Sequence, residues 1–134
     1  MQSKYPSTYY RVSIKAIIRN DKGEVLVVKE GGSNWSLPGG GMDHGETTHE
    51  ALKRELYEEV LVTSPFIAKI VHTESMYVEE NQHWLLWIVY EVELEALEYG
   101  LGEHADEVAF MDPQLFKDSS SRSERLIHAL LVGD

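Results

Sequence analysis

The segment from Gly40 to Val62 constrains the fold of this chain more than any other part of the sequence. It reads GGMDHGETTHEALKRELYEEVLV, a glycine-rich turn that runs directly into a helix carrying Glu55, Glu58 and Glu59. Because a helix turns by about 100° per residue, the three carboxylates lie within roughly one third of its circumference. Like charges at these spacings repel each other, and the helix dipole disfavours negative charge near the C-terminus. A bound cation would remove both penalties.

The apolar side of the same helix lies next to the acidic face. Leu52, Leu56 and Val60 form the stripe that is expected to be buried. A solvated acidic face is expected opposite such a stripe, whereas these carboxylates border it, as side chains lining a cleft do. Acidic clusters on helices are commonly solubility devices, so the spacing alone leaves both interpretations open.

The residues before the helix favour the metal interpretation. Trp35 to Gly41 reads WSLPGGG, and three consecutive glycines allow backbone carbonyls and amides to approach a metal or phosphate closely. Thr47 and Glu50 match the capping-box pattern, which predicts a helix from Thr48 to about Val60. This start places the glycine turn directly beside the helix.

Together these parts resemble the signature of the Nudix hydrolases (MutT-like), Gly-x5-Glu-x7-Arg-Glu-U-x-Glu-Glu-x-Gly-U, where U is a bulky aliphatic residue. The W-x-L-P-G-G approach is also common in that family. One defined position departs from the pattern, because Leu61 stands where the family has glycine. The other defined positions are met by Gly40, Glu46, Arg54, Glu55, Leu56, Glu58, Glu59 and Val62.

The resemblance implies a fold and a reaction. The fold is an α/β/α sandwich with a mixed β-sheet, one catalytic helix and a C-terminal helix. The reaction is metal-dependent hydrolysis of a diphosphate linkage in a nucleoside diphosphate linked to another group X, by attack of water on phosphorus. The substrate would be a nucleoside triphosphate, a nucleotide-sugar or a dinucleotide. The alternative is a catalytically silent Nudix-fold domain that binds a nucleotide or regulates another protein.

The resemblance also assigns roles at the metal site. Glu55, Glu58 and Glu59, with a main-chain carbonyl near Gly39 or Gly40, are expected to hold Mg²⁺ or Mn²⁺. These ions prefer hard oxygen donors, which agrees with the carboxylate cluster. Glu55 is the first choice for the general base.

Other residues are expected to support this site. Arg54 would orient the carboxylates, and Glu46 would hold the loop or a water. A distant loop can also supply the base or a further ligand, and the candidates there are Glu103, Asp106 and Glu107. Tyr77 and Trp84 are candidates for a shelf that contacts the nucleobase, although most aromatic residues of this chain are expected to be packing residues.

Leu61 should change how the helix ends. A leucine in the left-handed conformation costs about 1 to 2 kcal/mol relative to glycine. We therefore predict that Leu61 keeps a negative φ and that the helix closes by a longer or 3₁₀-like turn.

Composition limits the other possibilities. A length of 134 residues with 43% hydrophobic residues suits one domain, residues 1–134, with one core. The absence of cysteine fits the reducing cytoplasm, and neither a leader nor a membrane-spanning segment is expected. A net charge of −11 argues against binding a nucleic-acid duplex and makes a metal more necessary for an anionic substrate. A homodimer is possible.

Hydrophobic patterning predicts strands on both sides of the helix and a mixed sheet packed between helices. Val12–Arg19 and Glu24–Lys29 should pair as an antiparallel hairpin. Ile67–Tyr77 and Gln82–Leu94 should be extended segments joined by an acidic turn at residues 78–81. Glu107–Met111 should form a short strand, and Ser123–Val132 an amphipathic helix.

Overall fold

The computed structural model describes residues 9–80 and 82–133. The elements, in chain order, are strands β1 (Tyr10–Ile17), β2 (Val25–Lys29) and β3 (Gly39–Gly41), helix α1 (Thr48–Val60), strands β4 (Phe66–Val78), β5 (His83–Leu94) and β6 (Glu107–Met111), a 3₁₀ turn (Pro113–Phe116) and helix α2 (Arg122–Leu131). Every predicted strand and helix is found, with ends that differ by a few residues. Asn81, in the predicted acidic turn, lies outside the described residues.

The strands form a four-stranded sheet in the order β3-β1-β5-β4 and a two-stranded sheet of β2 and β6. In the larger sheet β1 runs parallel to β5, and the other two pairings are antiparallel. The sheet is therefore mixed, which confirms the predicted fold class.

The predicted hairpin between the first two strands is wrong. A single bridge joins Arg19 to Val25, and β2 pairs along its length with β6 instead. The four consecutive residues from Val25 to Val28 are all fully buried and alternate between the two cores. The side chains of β2 thus enter both apolar cores from the two-stranded sheet that it forms with β6.

Two apolar cores lie on opposite sides of the four-stranded sheet. On one side, which we call the α1 face, Ile14 and Ala16 pack with α1 residues such as Leu56. On the other side, the α2 face, Ile17 packs with Ile127 of α2. Because side chains alternate along a strand, odd-numbered residues of β1 and β5 point to the α2 face and even-numbered residues to the α1 face. The larger sheet is thus covered by a helix on each side.

Helix α1 begins as predicted. The Thr47 side chain accepts a hydrogen bond from the Glu50 amide, and the Glu50 carboxylate accepts one from the Thr47 amide, which completes the capping box. In the described part of the chain, no helix has the length and apolar character needed to cross a bilayer.

The predicted conformation of Leu61 is wrong. Leu61 is left-handed, with φ 54° and ψ 33°. The amide of Leu61 donates to the Tyr57 carbonyl and that of Val62 to the Leu56 carbonyl, each at 3.1 Å, and the first of these is the bond of the left-handed (αL) helix ending usual with glycine. This tight reversal brings Val62 into the core on the α1 face, and the burial offsets the strain at Leu61.

Candidate active site

Helix α1 presents its acidic face to the glycine turn at β3. Glu59 is 1% exposed and accepts a hydrogen bond from the Gly39 amide, and Glu55 is 8% exposed. The Glu55 carboxylate lies against Gly40, where a Cβ atom would come within 2.7 Å of its Oε1. The triple glycine was predicted to give a metal or phosphate close access to the backbone, and in the structure these two carboxylates make that close approach.

Arg54 connects the acidic residues of the segment. Its guanidinium donates to both carboxylate oxygens of Glu46, at 2.7 and 2.9 Å. It also donates to Glu55 at 3.0 Å, to Glu58 at 3.2 Å and to the Gly41 carbonyl at 3.1 Å. One planar cation thus fixes the loop and two carboxylates in a single network.

Burial and charge shift the pKa values within this network. Burial raises the pKa of Glu59 to about 8, against the opposing effects of the Gly39 amide and of Lys15. Burial also raises the pKa of Glu55, while Arg54 acts in the opposite direction. Hydrogen bonding from Arg54 lowers the pKa of Glu46 to about 2. The two buried carboxylates are the ones that a further cation would stabilise most.

A loop covers the C-terminal end of α1. The amides of Gly100, Gly102 and His104 donate in turn to the carbonyls of Val60, Glu59 and Glu58, at 2.8, 2.9 and 3.1 Å. A Cβ atom on Gly102 would lie 2.1 Å from the Glu58 carbonyl oxygen, so no larger residue fits without movement. The sequence analysis missed this contact, whose only signal is the alternate glycines of Gly100-Leu101-Gly102.

The loop also reaches the acidic face. His104 Nδ1 lies 3.1 Å from Glu58 Oε2, the same oxygen that accepts from Arg54. Glu103, next to His104, is exposed. Of the other two loop candidates, Asp106 accepts a hydrogen bond from the Gly31 amide at 2.7 Å, and Glu107 pairs with Lys29 at 3.2 Å. Of the three loop candidates, Glu103 is therefore the one that lies between Gly102 and His104, whose amides contact the end of α1.

Tyr77 and Trp84 lie on the α1 face of the sheet, in register across β4 and β5. Their ring centroids are 5.7 Å apart, and Trp84 also contacts Tyr10 at 5.9 Å. These contacts bring the two candidates together with each other and not with the carboxylates of α1.

Lys15, which the sequence analysis did not single out, lies near the buried carboxylates. It pairs with Gly39 across β1 and β3, and its side chain lies on the α2 face, with Nζ 5.8 Å from the Trp87 ring centroid. Burial lowers the pKa of Lys15, while the carboxylates of Glu59, Glu30 and Glu55 oppose that shift. The only sequence signal is a lysine placed among apolar residues in a strand.

The donor set suits a hard divalent cation, although the side chains are not arranged around one. Within residues 9–80 and 82–133, no three His, Asp or Glu side chains are grouped so as to hold a metal ion. The Glu58 carboxylate instead contacts Arg54 and His104. The carboxylate oxygens and the backbone carbonyl of Gly40 nevertheless are the oxygen donors that Mg²⁺ and Mn²⁺ prefer.

Comparison with known proteins agrees with this geometry. Residues 9–130 match the model of the NUDIX domain family. The RNA pyrophosphohydrolase of Vibrio atlanticus (strain LGP32) is 42% identical over 77 residues, which are 57% of this chain and 40% of that protein. The chain therefore spans well under two thirds of the length of such relatives.

Solved structures share the fold at low sequence identity. The MutT protein from Methanosarcina mazei Go1 superposes with a TM-score of 0.76 at 20% identity, covering 94% of this chain and 96% of that one. The NUDIX domain of Shewanella oneidensis NrtR, solved in complex with ADP ribose, superposes with a TM-score of 0.71 at 17% identity, covering 93% of this chain and 90% of that one.

Proposed function

The chain belongs to the Nudix family, and from this premise we propose that it is a pyrophosphohydrolase that cleaves a diphosphate linkage in a nucleotide-type substrate. The observation that carries the proposal is the Arg54 network, which joins the loop residue Glu46 to the carboxylates of Glu55 and Glu58. The family match and the names of its pyrophosphohydrolase relatives support the same reaction class. Residues 1–134 would form one such domain.

Glu55, Glu58 and Glu59, with the main-chain carbonyl of Gly40, would hold the divalent cation. The buried carboxylates of Glu55 and Glu59 support this assignment, because each carries a raised pKa that a cation would reverse. When bound, Mg²⁺ or Mn²⁺ would neutralise the diphosphate and lower the pKa of the attacking water. Glu58 would have to turn away from Arg54 and His104 to take part.

The other side chains would position these groups and move the proton. Arg54 would keep Glu55 and Glu58 oriented, and Glu46 would in turn hold Arg54 through its two hydrogen bonds. Glu55 remains the first choice for the general base, because burial raises the pKa of its carboxylate and so makes it a better proton acceptor for a water beside Gly40. Glu103 is the loop alternative, since Asp106 and Glu107 are held by Gly31 and Lys29.

Location and assembly are further parts of the proposal. The absence of cysteine supports a cytoplasmic location. The outer edge of β4, the last strand of the larger sheet, supports a homodimer, because Ile67 and Ile70 are 74% and 55% exposed there. Gel filtration with light scattering measures the assembly directly.

A panel of nucleoside triphosphates, nucleotide-sugars, dinucleotides and 5′-triphosphorylated RNA, incubated with Mg²⁺ or Mn²⁺ in ¹⁸O-labelled water, tests the activity. We expect cleavage of at least one diphosphate, with label on the attacked phosphorus. Glu59→Gln should lower kcat at least about 100-fold, whereas Glu98→Gln, an exposed glutamate away from α1, should leave it unchanged. Absence of cleavage across the panel, or an unaffected Glu59→Gln variant, would refute the proposal.

A catalytically silent binding domain is the competing outcome of that experiment. Its main support in the sequence was Leu61, which departs from the family pattern. Leu61 takes the left-handed conformation that glycine would take, so the departure leaves the helix ending in place. Tight nucleotide binding without turnover would favour the silent domain.

A further inference from the structure

Strand β4 forms the outer edge of the larger sheet, and a one-residue bulge divides it. Ile70 pairs with Tyr90 of β5 and His72 with Val89, so Val71 between them has no partner on β5. An extra residue in one strand reverses the alternation of that strand beyond it. Even-numbered residues of β4 therefore lie on the α1 face before Val71 and on the α2 face after it.

The free edge of β4 carries the backbone groups that β5 does not use. The Pro65 carbonyl accepts a hydrogen bond from the Glu95 amide, which places Pro65 among the residues that face β5. Because the hydrogen-bonding direction alternates along a strand and the bulge shifts it once, six residues direct their N–H and C=O groups outward. No backbone group in a loop or turn of the described residues bonds to them. The six are Phe66, Ala68, Ile70, Thr73, Ser75 and Tyr77.

These six residues are arranged symmetrically about the bulge. When two β4 strands run antiparallel with the two-fold axis between Val71 and His72, every outward residue of one copy lies opposite an outward residue of the other. The pairs are Phe66 with Tyr77, Ala68 with Ser75 and Ile70 with Thr73. Both members of each pair lie on the α1 face, as cross-strand neighbours must. A register displaced by two residues leaves some of these backbone groups without a partner.

The α2 face of the same register brings opposite charges together. Lys69 of each copy lies opposite Glu74 of the other, and such cross-strand pairs stabilise a sheet. The ion pairs of the described residues do not include Lys69, because Glu91, across from it on β5, pairs with Arg19. Glu74 contacts His72 at 3.0 Å, and its side chain is still 38% exposed. Both charges are therefore available to a second copy.

Exposed apolar side chains argue against a purely protective edge. A bulge and a lysine are also devices by which edge strands avoid pairing. An edge protected in this way is not expected to leave Ile67 and Ile70 as exposed as they are, at 74% and 55%. In the register described, Ile67 lies opposite Met76 of the other copy and Ile70 opposite Thr73, so burial of apolar surface favours the same arrangement as the charges do.

We propose that two copies of this chain pair through β4 in this antiparallel register, so that their two larger sheets become one continuous sheet. A second copy fits the edge because its own β4 offers the matching outward groups and both charges. The paired segment, Phe66 to Tyr77, would form about twelve ladder hydrogen bonds over roughly 40 Å. The proposal rests on the homodimer of the proposed function and deepens it by naming the interface.

Charge reversal tests the register. Light scattering of the unchanged protein at about 100 µM, where even a micromolar dimer is formed, should give twice the chain mass of 15.3 kDa. Lys69→Glu and Glu74→Lys should each raise the dimer dissociation constant at least about tenfold, because like charges are then opposed. Lys117→Glu, the same charge change at an exposed lysine after the 3₁₀ turn, is the matched control and should dimerise normally.

An equimolar mixture of Lys69→Glu and Glu74→Lys is the decisive sample. In the mixed dimer each opposed pair is again one glutamate and one lysine, so the mixture should recover the affinity of the unchanged protein. Misfolded variants could not recover by mixing. Failure of the mixture to recover, or a dimer that neither charge reversal weakens, would overturn the proposal.

Cysteine cross-linking tests the same register by distance, because the chain has no cysteine. Ala68→Cys mixed with Ser75→Cys should form a disulfide-linked heterodimer on oxidation, since residues in a hydrogen-bonded pair have Cα atoms about 5.5 Å apart. Ala68→Cys mixed with Thr73→Cys, which matches a register displaced by two residues, should cross-link at least about tenfold more slowly. Faster cross-linking in the displaced register would contradict the interface.

Diphosphate cleavage by the same samples distinguishes the interface from the activity. The carboxylates of α1 contact β3, at the opposite edge of the sheet, so Lys69→Glu should keep the kcat of the unchanged protein. If no diphosphate is cleaved but the mixed variants dimerise, the proposed reaction fails and the interface stands. If diphosphate is cleaved but the unchanged protein keeps a mass of 15.3 kDa, the interface fails and the proposed reaction stands.

Discussion

The two ends of α1 are held by different kinds of interaction. The N-terminus is held locally, by the reciprocal hydrogen bonds of Thr47 and Glu50 within one turn. The C-terminus is held by distant residues, because the amides of Gly100, Gly102 and His104 satisfy its last carbonyls. The acidic face lies toward this second end, so the position of the carboxylates depends on tertiary contacts that a local helix signal does not contain.

The largest expected effect is on the pH dependence of stability, and it comes from Glu59, the buried acid near the C-terminal end of α1. At pH values between 4.5, the ordinary pKa of a glutamate, and about 8, the raised pKa of Glu59, this carboxyl is protonated in the native state and ionised in the unfolded chain. The native state then binds more protons, so the free energy of unfolding in EDTA should fall as pH rises through this window, by on the order of a few kcal/mol.

Urea titrations at several pH values measure this effect as the difference between the unchanged protein and Glu59→Gln. Glutamine cannot ionise, so the variant should lack this component of the pH dependence. Lys15, whose lowered pKa acts in the opposite direction at alkaline pH, and the nearby Glu30 and Glu55 are present in both proteins. Added Mg²⁺ should reduce the slope of the unchanged protein, and a difference that does not vary with pH would contradict the prediction.

Gly102→Ala should have the next largest effect, because its Cβ would meet the Glu58 carbonyl oxygen at 2.1 Å. We expect a loss of about 1 to 3 kcal/mol in the free energy of unfolding, together with lower kcat. Gly32→Ala is the control, since a Cβ there meets nothing within 4 Å. Equal stability of the two variants would show that the loop does not hold this end of α1.

Thr47→Ala tests the other end. Loss of the cap should lower the free energy of unfolding by about 1 kcal/mol, and kcat should stay the same because the carboxylates are held elsewhere. Chemical denaturation and steady-state kinetics measure the two quantities. Thr48→Ala, one residue further on, keeps the capping box and serves as the control. A large fall in kcat for Thr47→Ala would mean that the two ends are not independent.

Leu61→Gly should have the smallest effect, and it should be stabilising. Relief of the left-handed strain, about 1 to 2 kcal/mol, is partly offset by the greater freedom of glycine in the unfolded chain. We therefore expect a net gain of about 1 kcal/mol or less. Leu61→Ala retains a Cβ atom and should bring no such gain. Destabilisation by glycine would indicate that packing of the Leu61 side chain near Gly100 outweighs the strain.

The sequence predicted the parts of the site that depend on neighbours along the chain. The bounds of α1 and its capping box follow from periodicity and a four-residue motif. The absence of side chains predicted close access to the glycine backbone for a metal or phosphate, whereas it is the Glu55 carboxylate that lies against Gly40. The sequence did not predict the left-handed Leu61, because the strain of that conformation is local whereas the burial of Val62 that offsets it is a tertiary contact. It also missed the pairing of β2 with β6, since alternation along a strand does not identify the strand beside it.

The sequence by itself determined the family signature, the acidic face of α1 and the alternation of apolar residues that makes a sheet between two helices. These features are encoded over a few residues by backbone geometry and side-chain periodicity. Only the tertiary structure decided that Gly102 lies against the Glu58 carbonyl and that Lys15 and Trp87 share the α2 face. The physical reason is that these contacts join strands and loops far apart in the chain, and their energies depend on burial and charge that exist only after the sheet has assembled.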